Sequence, residues 1–462
     1  MPSRLVLTFS LLALTAPPSS ATTPGSTRCK DQSGRNVDWF IMYKLPKMQP
    51  SKNNFVTPRG GEFVYVDSNT PKTAQTWTLS NQNVFDADNP AANTLRPLRH
   101  PAEDILYVAY NDQPPPGYNG TRSGHCKGVV VFDSSTGAWL LHSVPRFLEG
   151  IGTGRYRFPE SGRENAQLFM CITFPSSELD SIGKHLRMEY ANVYAKGSPQ
   201  SLLDRHPQMG LLFKDSFIRG RGQDLLVRNI TSAGSRRFFS VAKRATFEQD
   251  IYAAVLTGLV RDDLVVQSWR NGAGEKLAAN CSRSYTVTHA DLVKLSLPER
   301  RSITFKTEED HSKWAVAVDR QVFCIASMNR MESQLRRGGE AVCIEDSLLG
   351  KLFRRSAIVN TGCSLDGAGR VAAPAQSPAS PAATRRQRNT QPRKRRTRVS
   401  TAAPASAGSS KPSMRQFLMD VAVSTLSKLT HPHGRKPTRR SRNQHAKTEP
   451  LLMDQFLNLL RS

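Results

Sequence analysis

A short pattern that combines histidine and lysine occurs twice in this chain. The first copy is His125-Cys126-Lys127 with Asp133 downstream, and the second is His311-Ser312-Lys313 with Asp319 downstream. Residues two apart on an extended strand point to the same face, so the His and Lys of each copy can meet one phosphate group. The Asp follows the Lys by the same interval in both copies. The repeat indicates a two-part active site that performs phosphodiester chemistry without a metal.

A single His-x-Lys pair would carry little information. A lysine-rich chain with 10 His contains one by chance about half the time. Here both copies lead into apolar stretches, at 129–132 and 314–318. Ser327 and Asn329, which follow the second copy, can donate hydrogen bonds to phosphate oxygens. These features favour a functional site over a pair of surface histidines.

Hydrolysis of a phosphodiester needs a nucleophile, positive charge for the non-bridging oxygens and a proton for the leaving oxygen. One imidazole can attack phosphorus and form a phosphohistidine while the other, protonated, acts as general acid. Lys127 and Lys313 would hold the oxygens. Asp133 and Asp319 either orient the histidines or are ordinary carboxylates at strand ends. An ordinary imidazole titrates near pH ~6.5, which suits an acidic compartment.

The elements that must position these residues are strands mixed with helices. Residues 37–43 and 105–110 have the pattern of strands, 111–117 form a loop that leads toward the first His, and 247–259 have a helical pattern. This mixture predicts the α/β class. The stretch from Cys29 to Cys363 is long enough for two subdomains with a shared core.

The N-terminus has the features of a secretory signal, predicted at residues 1–21. Arg4 precedes an apolar run at 5–14, and small residues follow before a cleavage site after Ala21. No later stretch approaches the ~20 apolar residues that cross a bilayer. We therefore expect a protein without an integral membrane segment that is secreted or lysosomal, with disulfides. Glycosylation sequons begin at Asn119, Asn229 and Asn280, and any of them can go unused.

The chain contains seven cysteines, so at least one is unpaired or joined to another chain, and spacing alone does not fix the pairs. No Cys-x-x-Cys motif or His/Cys cluster in the sequence predicts a zinc site. We therefore expect no metal and no cofactor.

The formal charge of +26 is unevenly distributed. Residues 364–462 carry 19 Lys and Arg against four Asp and Glu, a net +15, which leaves +11 for the rest. Both parts favour polyanionic partners. Within this tail, 371–410 are rich in Ala, Pro, Ser and Arg, which predicts disorder. Basic clusters at 385–388 and 393–398 fit nucleic-acid binding, proteolytic processing or a solvated linker, and short amphipathic helices are predicted around 414–429 and 452–459.

Several segments of the sequence resemble the acid deoxyribonucleases, the deoxyribonuclease II family within the phospholipase D superfamily. The resemblance covers almost all of the stretch from Cys29 to Cys363. It is carried by residues 37–46, 110–115, 124–128, 139–145, 309–314 and 328–330.

This resemblance implies a fold and an activity. The fold is a phospholipase D-like pseudo-dimer of two α/β/α halves, about 29–205 and 206–363, in a single-chain monomer. Residues 22–363 then form the catalytic domain, and 364–462 form a mostly disordered basic tail outside the family pattern. The implied activity is metal-free cleavage of double-stranded DNA that leaves 3′-phosphate and 5′-hydroxyl ends. By analogy His125 is the nucleophile and His311 the acid, although the residues themselves do not distinguish them.

The resemblance also implies the disulfides Cys29–Cys171, Cys281–Cys363 and Cys324–Cys343, which leaves Cys126 unpaired. The family usually has Thr at that position, and strand alternation turns the thiol away from the phosphate, so we expect a buried, tolerated Cys. The first half offers Ser143-Val144-Pro145 where the superfamily has a full Ser-x-Asn element, and Ser143 is the predicted phosphate-supporting residue there.

Two alternatives remain at this point. The superfamily also cleaves phospholipids, so the substrate could be another phosphodiester, although the basic core and the family segments argue against lipid. The chain could also be a secreted DNA-binding or toxin-like protein with weak or no catalysis. The intact His125, Lys127, His311 and Lys313 argue against a decayed site.

Overall fold

The computed structural model describes residues 27–50, 56–118, 124–220, 222–272, 274–281, 284–360, 362–365 and 371–372. The predicted signal peptide, the sequon at Asn119, the basic clusters of the tail and its two predicted helices lie outside these residues.

The first half of the chain forms one eight-stranded sheet in which all neighbouring strands are antiparallel. The predicted strands at 37–43 and 105–110 correspond to its first and fourth strands. The strands are β1 (Trp39–Lys44), β2 (Glu62–Asp67), β3 (Thr78–Asn83), β4 (Leu106–Asn111), β5 (Lys127–Phe132), β6 (Thr136–His142), β7 (Gln167–Pro175) and β8 (Val193–Gly197). Their order across the sheet is β3-β2-β1-β7-β6-β5-β4-β8.

The second half forms a seven-stranded sheet and two small sheets. The strands are β9 (Leu225–Thr231), β10 (Arg237–Lys243), β11 (Leu264–Gln267), β12 (Val287–His289), β13 (Leu292–Ser296), β14 (Ser302–Lys306), β15 (Trp314–Ala317), β16 (Val322–Ala326), β17 (Gly339–Glu345), β18 (Ala357–Ile358), β19 (Ser364–Leu365) and β20 (Val371–Ala372). The large sheet has the order β12-β11-β15-β16-β17-β10-β9, and β14-β13-β18 and β19-β20 form the small ones. The last two strands lie beyond the predicted domain boundary at 363.

The two large sheets share a pattern of strand order. The first contains the run β1-β7-β6-β5-β4, and the second contains the run β10-β17-β16-β15-β11. In each run the earliest strand of the chain pairs with the latest, and the order then descends along the chain. The strands that follow the two His-x-Lys patterns, β5 and β15, occupy the same place in their runs.

The helices are few and short, and the mixed α/β class is confirmed with a predominance of strands. The α-helices are α1 (Pro90–Thr94), α2 (Leu179–Glu189), α3 (Gln200–Arg205), α4 (Pro207–Phe213), α5 (Thr257–Val260), α6 (Glu332–Leu335) and α7 (Ser347–Ser356). The helix predicted at 247–259 is helical from residue 251, and its segment Tyr252–Leu256 is a π-helix that continues into α5. None of the helices in the described residues has the length and apolarity that crossing a bilayer requires.

The core explains why the central strands lack a polar face. Residues on one face of the first sheet, such as Trp39 and Tyr43, join apolar residues of the second sheet, such as Trp314 and Phe353, in one cluster. Residues on the opposite face, such as Phe40, form a separate cluster with α1 and the following loops. Strands such as β1, β5 and β6 are buried on both faces, which accounts for their continuous apolar sequence.

The cysteines pair as the resemblance implies. Disulfides join Cys29 to Cys171, Cys281 to Cys363 and Cys324 to Cys343, and Cys126 is free and buried. Of the two described sequons, Asn229 is exposed on the edge strand β9, whereas Asn280 is half-buried.

Candidate active site

Each predicted histidine lies directly before a central strand. His125 precedes β5, and His311 precedes β15 by three positions. The neighbouring strands end at the same edge, because Asn111 at the end of β4 pairs with Lys127 and Ala326 at the end of β16 donates its N–H to the carbonyl of Lys313. The structure therefore places the side chains that follow β4, β6 and β16 around the two histidines.

The two histidines contact backbone carbonyls from opposite sheets. The Nδ1 atom of His125 lies 2.6 Å from the carbonyl oxygen of Ser327, which follows β16 of the second sheet. The Nδ1 atom of His311 lies 2.9 Å from the carbonyl oxygen of Ser143, which follows β6 of the first sheet. Each half of the chain thus supplies the orienting carbonyl for the histidine of the other half.

This exchange fixes the tautomer of both imidazoles. A carbonyl oxygen can only accept a hydrogen bond, so Nδ1 of each ring must carry the proton. The Nε2 atom of a neutral ring then has a free lone pair, and the Nε2 of a charged ring has a proton to donate. The Nε2 atom can therefore act as the nucleophile when the ring is neutral and as the proton donor when the ring is charged.

Burial and neighbouring charge favour the neutral form of both rings. Burial lowers the pKa of His125 well below 6.5, and the carboxylate of Asp112 opposes this shift only in part. Burial also lowers the pKa of His311 well below 6.5, and the charges of Lys313 and Lys127 lower it further. A bound phosphate would add the negative charge that lets one ring take up a proton.

The two lysines are buried beside the histidines. Lys127 and Lys313 are 4% and 2% exposed, so their ammonium groups act in a poorly solvated space. The Nζ atom of Lys313 donates to the carbonyl oxygen of His311 at 2.7 Å. Burial, followed by repulsion from Lys127, lowers the pKa of Lys313 well below 10.5. Two cations that repel one another across a cleft form a site for an anion.

Asp112 and Arg337 belong to the site, although the sequence analysis did not identify them as site residues. Asp112 forms an ion pair with Lys127, and its Oδ2 atom lies 3.1 Å from Nη2 of Arg337 and 4.0 Å from Nε2 of His125. Burial alone would raise the pKa of Asp112, but Lys127, His125 and Arg337 hold it well below its ordinary value. The available signal was the position of Asp112 in the loop that leads to the first His.

The two predicted phosphate-supporting serines make hydrogen bonds within the sheets, and their contact with a phosphate stays a prediction. The hydroxyl of Ser143 donates to Gln167 at 2.6 Å and accepts from the N–H of Leu168 at 3.0 Å. The hydroxyl of Ser327 accepts from the N–H of Glu340 at 2.9 Å. Both hydroxyls are therefore used within the sheets, and the carbonyl groups face the histidines instead.

Asn329 lies two residues beyond Ser327 and is 8% exposed. Its Oδ1 atom is buried and finds no hydrogen-bond partner among the described residues. The amide thus remains compatible with a role beside the phosphate, which stays a prediction.

Neither Asp133 nor Asp319 orients a histidine. Asp133 follows β5 at the end opposite His125, about 26 Å away at the rise of a strand, and accepts N–H bonds from Thr27 and Thr136 at 2.6 and 2.9 Å. Asp319 is exposed beyond the far end of β15. Both carboxylates lie beyond the far end of the strand that follows their His-x-Lys pattern, which agrees with the alternative of ordinary carboxylates at strand ends.

A network of buried hydrogen bonds holds the segment of the second His-x-Lys pattern on its core side. The hydroxyl of Tyr43 donates to Asp310 at 2.5 Å and accepts a hydrogen bond from Nε1 of Trp314 at 3.0 Å. The other carboxylate oxygen of Asp310 accepts from the N–H of Ser312 at 2.9 Å. The ring of Trp269 also contacts the ring of His311 edge-on, with ring centroids 5.1 Å apart. These contacts fix the backbone on both sides of His311.

Cys126 does not face the phosphate-binding side. It is fully buried in the core, as alternation along the strand predicts, and burial raises the pKa of its thiol well above 9.0. Among the described residues, one group of His, Cys, Asp and Glu side chains is close enough to hold a metal ion, namely His185, Glu189 and Glu340. None of the predicted catalytic residues belongs to that group.

Comparison with known proteins gives a consistent result. Residues 28–363 match the family model described as Deoxyribonuclease II. The chain is similar to Plancitoxin-1 of Acanthaster planci, with 32% identity over 371 residues that cover 79% of this chain and 100% of that protein. It is similar to Deoxyribonuclease-2-alpha of Mus musculus, with 32% identity over 71% of this chain and 90% of that protein. Deoxyribonuclease-2-beta of Homo sapiens is 31% identical over 72% of this chain and 91% of its own length.

Proposed function

This chain belongs to the deoxyribonuclease II family, and we propose that it is an acid endonuclease that hydrolyses phosphodiester bonds of double-stranded DNA. The observation that carries the proposal is the pair of imidazoles with protonated Nδ1 and available Nε2 atoms beside two buried lysines. A nucleophile, a proton donor and anion-binding charges are the groups that this hydrolysis needs.

The proposed reaction has two steps. The Nε2 atom of neutral His125 attacks phosphorus, the bond from phosphorus to the 5′ oxygen breaks, and protonated His311 gives its Nε2 proton to that oxygen. The phosphorus is then bonded to His125 and still to the 3′ oxygen. His311, now neutral, takes a proton from water as the water oxygen displaces His125. The products carry a 3′-phosphate and a 5′-hydroxyl.

The lysines supply the charge stabilisation in this mechanism. Lys127 and Lys313 would neutralise the non-bridging oxygens, with the amide of Asn329 as a further contact. In the absence of substrate, Asp112 pairs with Lys127 and keeps a counter-charge in the cleft. A bound phosphate would compete with Asp112 for Lys127 and Arg337, because both cations pair with the Asp112 carboxylate.

We further propose a phospholipase D-like pseudo-dimer, with halves of about 29–205 and 206–363. The shared strand order of the two large sheets supports this arrangement. The reciprocal contacts from His125 to Ser327 and from His311 to Ser143 support it independently. A single chain then forms the complete site, so the proposed active species is a monomer. Its proposed location is the lysosome or the extracellular space.

A plasmid-nicking assay with the full chain at mildly acidic pH and excess EDTA tests the function. We expect relaxed and linear DNA to form in the presence of EDTA. End-labelling of the products should then show 5′-hydroxyl ends that a kinase labels without prior phosphatase treatment. Activity that EDTA abolishes and magnesium restores would contradict the mechanism, and so would products with 5′-phosphates.

The similarity to Plancitoxin-1 supports a second candidate, a secreted toxin-like role in which DNA binding dominates and catalysis is weak. The strongly basic tail favours binding to polyanions. Steady-state turnover in the nicking assay separates the two, because a protein that only binds DNA retards the plasmid without converting it.

A further inference from the structure

Three ionisable side chains meet in the core behind the strand that follows His125. His185 and Glu189 lie one helical turn apart on α2, and Glu340 lies on β17. They are 1%, 0% and 2% exposed, respectively. The sheet and the helix therefore bring two carboxylates and an imidazole together in a space that water does not reach.

The hydrogen bonds within the described residues leave this group incomplete. The Nε2 atom of His185 lies 3.0 Å from Oε2 of Glu340 and 3.9 Å from Oε2 of Glu189. Neither carboxylate oxygen of Glu189 accepts a hydrogen bond from an N–H or O–H group, and Nδ1 of His185 has no partner. The thiol of Cys126 lies against the Glu189 carboxylate and is too weak a donor to replace such bonds. Two ionised carboxylates would carry one negative charge more than a single imidazole can compensate, and burial next to Glu340 raises the pKa of Glu189 well above 4.5.

The separations between the three groups match those of ligands on one metal ion. Their nearest ligand atoms all lie within 4.8 Å of one another. Two ligands at about 2.1 Å from zinc in tetrahedral geometry are about 3.4 Å apart. The observed values of 3.0 and 3.9 Å bracket this distance, so small side-chain movements suffice for all three groups to reach a central ion.

We propose that His185, Glu189 and Glu340 form a structural binding site for a divalent transition metal, with Zn²⁺ as the expected occupant. One neutral imidazole and two carboxylates compensate the charge of a divalent ion, and imidazole as a ligand favours zinc over magnesium or calcium. The ion would join α2 to β17. It would not contact the phosphate, because the predicted catalytic side chains are not among its ligands.

The position of Glu340 links this site to the active-site framework. The N–H of Glu340 donates to the hydroxyl of Ser327, and its carbonyl accepts the N–H of Ser327 at 3.0 Å. The carbonyl of Ser327 in turn holds Nδ1 of His125. At the other end, Gly124 and Gly338 both lie against the backbone carbonyl of Glu189, where a side chain would collide with it. The metal would therefore stabilise the backbone that positions His125 without taking part in hydrolysis.

Metal analysis of the full chain, purified without chelator, tests the proposal. We expect about one zinc per chain more in the wild type than in His185→Gln or Glu340→Gln. This difference is the readout because the tail carries further histidines that can bind zinc weakly. Glu345→Gln is the matched control, since Glu345 lies on the same strand but is exposed and paired with Arg320, and it should retain the wild-type zinc content.

A second measurement on the wild type remains informative if the variants fold poorly. Prolonged dialysis against dipicolinate should lower the melting temperature by about 5 °C or more, and added Zn²⁺, but not Mg²⁺, should restore it. A wild type that contains no more zinc than the variants, with a melting temperature that zinc does not change, would show that the carboxylates share a proton instead. Failure of this proposal is distinguishable from failure of the proposed nuclease function, because zinc content and the melting temperature are measured without turnover of DNA.

Discussion

The Nδ1 atom of His311 lies 2.9 Å from the carbonyl oxygen of Ser143, which precedes it by 168 positions. A peptide carbonyl keeps the same charge at every pH, so it holds the ring and its tautomer without adding a negative charge that would raise the pKa. A carboxylate in this place would favour the charged ring. The hydrogen bond to the carbonyl raises the pKa of His311 only in part, and burial together with the charges of Lys313 and Lys127 outweighs it, so protonation of the ring depends on the bound phosphate.

Replacement of each histidine separates their roles. His125→Ala and His311→Ala should each reduce DNA cleavage by about 10³-fold or more, because nucleophile and acid act as a unit. On a p-nitrophenyl phosphodiester, whose leaving group needs no proton, His311→Ala should retain far more activity than His125→Ala. Steady-state rates on both substrates are the measurement. If His125→Ala is the variant that retains activity, the two roles are reversed.

The rate should depend on pH with an acidic optimum. Because burial lowers the pKa of free His311 well below 6.5, its proton-donating form accumulates only at pH values well below the ordinary imidazole range, and bound phosphate shifts this uptake upward. Protonation of the nucleophile then lowers the rate at still lower pH. We expect a bell-shaped profile of kcat/KM, measured in EDTA. A rate that rises steadily into the alkaline range would contradict the assignment of an imidazolium as acid.

Asp112→Asn should move one limb of that profile. The carboxylate raises the pKa of His125, so its removal lowers that pKa further. If His125 must be neutral to attack, the acidic limb shifts to lower pH and the alkaline limb, set by His311, stays in place. Asp133→Asn is the control, because Asp133 lies at the far end of β5, and its profile should equal that of the wild type. A shift of the alkaline limb alone would instead assign the acid role to His125.

Tyr43→Phe should destabilise the fold. The variant removes the hydroxyl that donates to the buried carboxylate of Asp310, and a buried charged acceptor without its donor costs about 1–3 kcal/mol. Tyr252→Phe is the control, because its equally buried hydroxyl donates to the neutral carbonyl of Met328. Urea unfolding should show the larger loss for Tyr43→Phe. Equal losses would mean that Asp310 is protonated and needs no donor.

Removal of residues 376–462 tests the role of the tail. This cut follows the first compact unit and removes 18 Lys and Arg with three Asp and Glu, a net charge of +15. DNA binding should weaken, and its dependence on salt should flatten, because fewer phosphate contacts release fewer counterions. Hydrolysis of a small phosphodiester should be unchanged. If small-substrate turnover is lost as well, the tail contributes to the catalytic fold.

Local sequence patterns predicted the strands and the direction of the key side chains. The apolar runs that end at Tyr43 and Tyr110 became β1 and β4. Alternation along an extended segment predicted that Cys126 points into the core, away from the side of His125 and Lys127. These features depend on residues a few positions apart, because the repeat of a strand or helix fixes which of them point to the same face. The disulfides came from the family resemblance, because spacing alone leaves many pairings open.

Only the tertiary structure decided which distant groups meet the histidines. The carbonyls of Ser143 and Ser327 reach the opposite ring because strands of two sheets end at one cleft, and no local period encodes that meeting. The equal spacing to Asp133 and Asp319 was misleading for the same reason: along an extended strand it carries the carboxylates away from the imidazoles, and it says nothing of what lies near them. His185 and Glu340, 155 positions apart, likewise come together because α2 packs on the second large sheet, against β9 and β10. Contacts of this kind are fixed by the burial of apolar faces over the whole domain, which sequence spacing does not report.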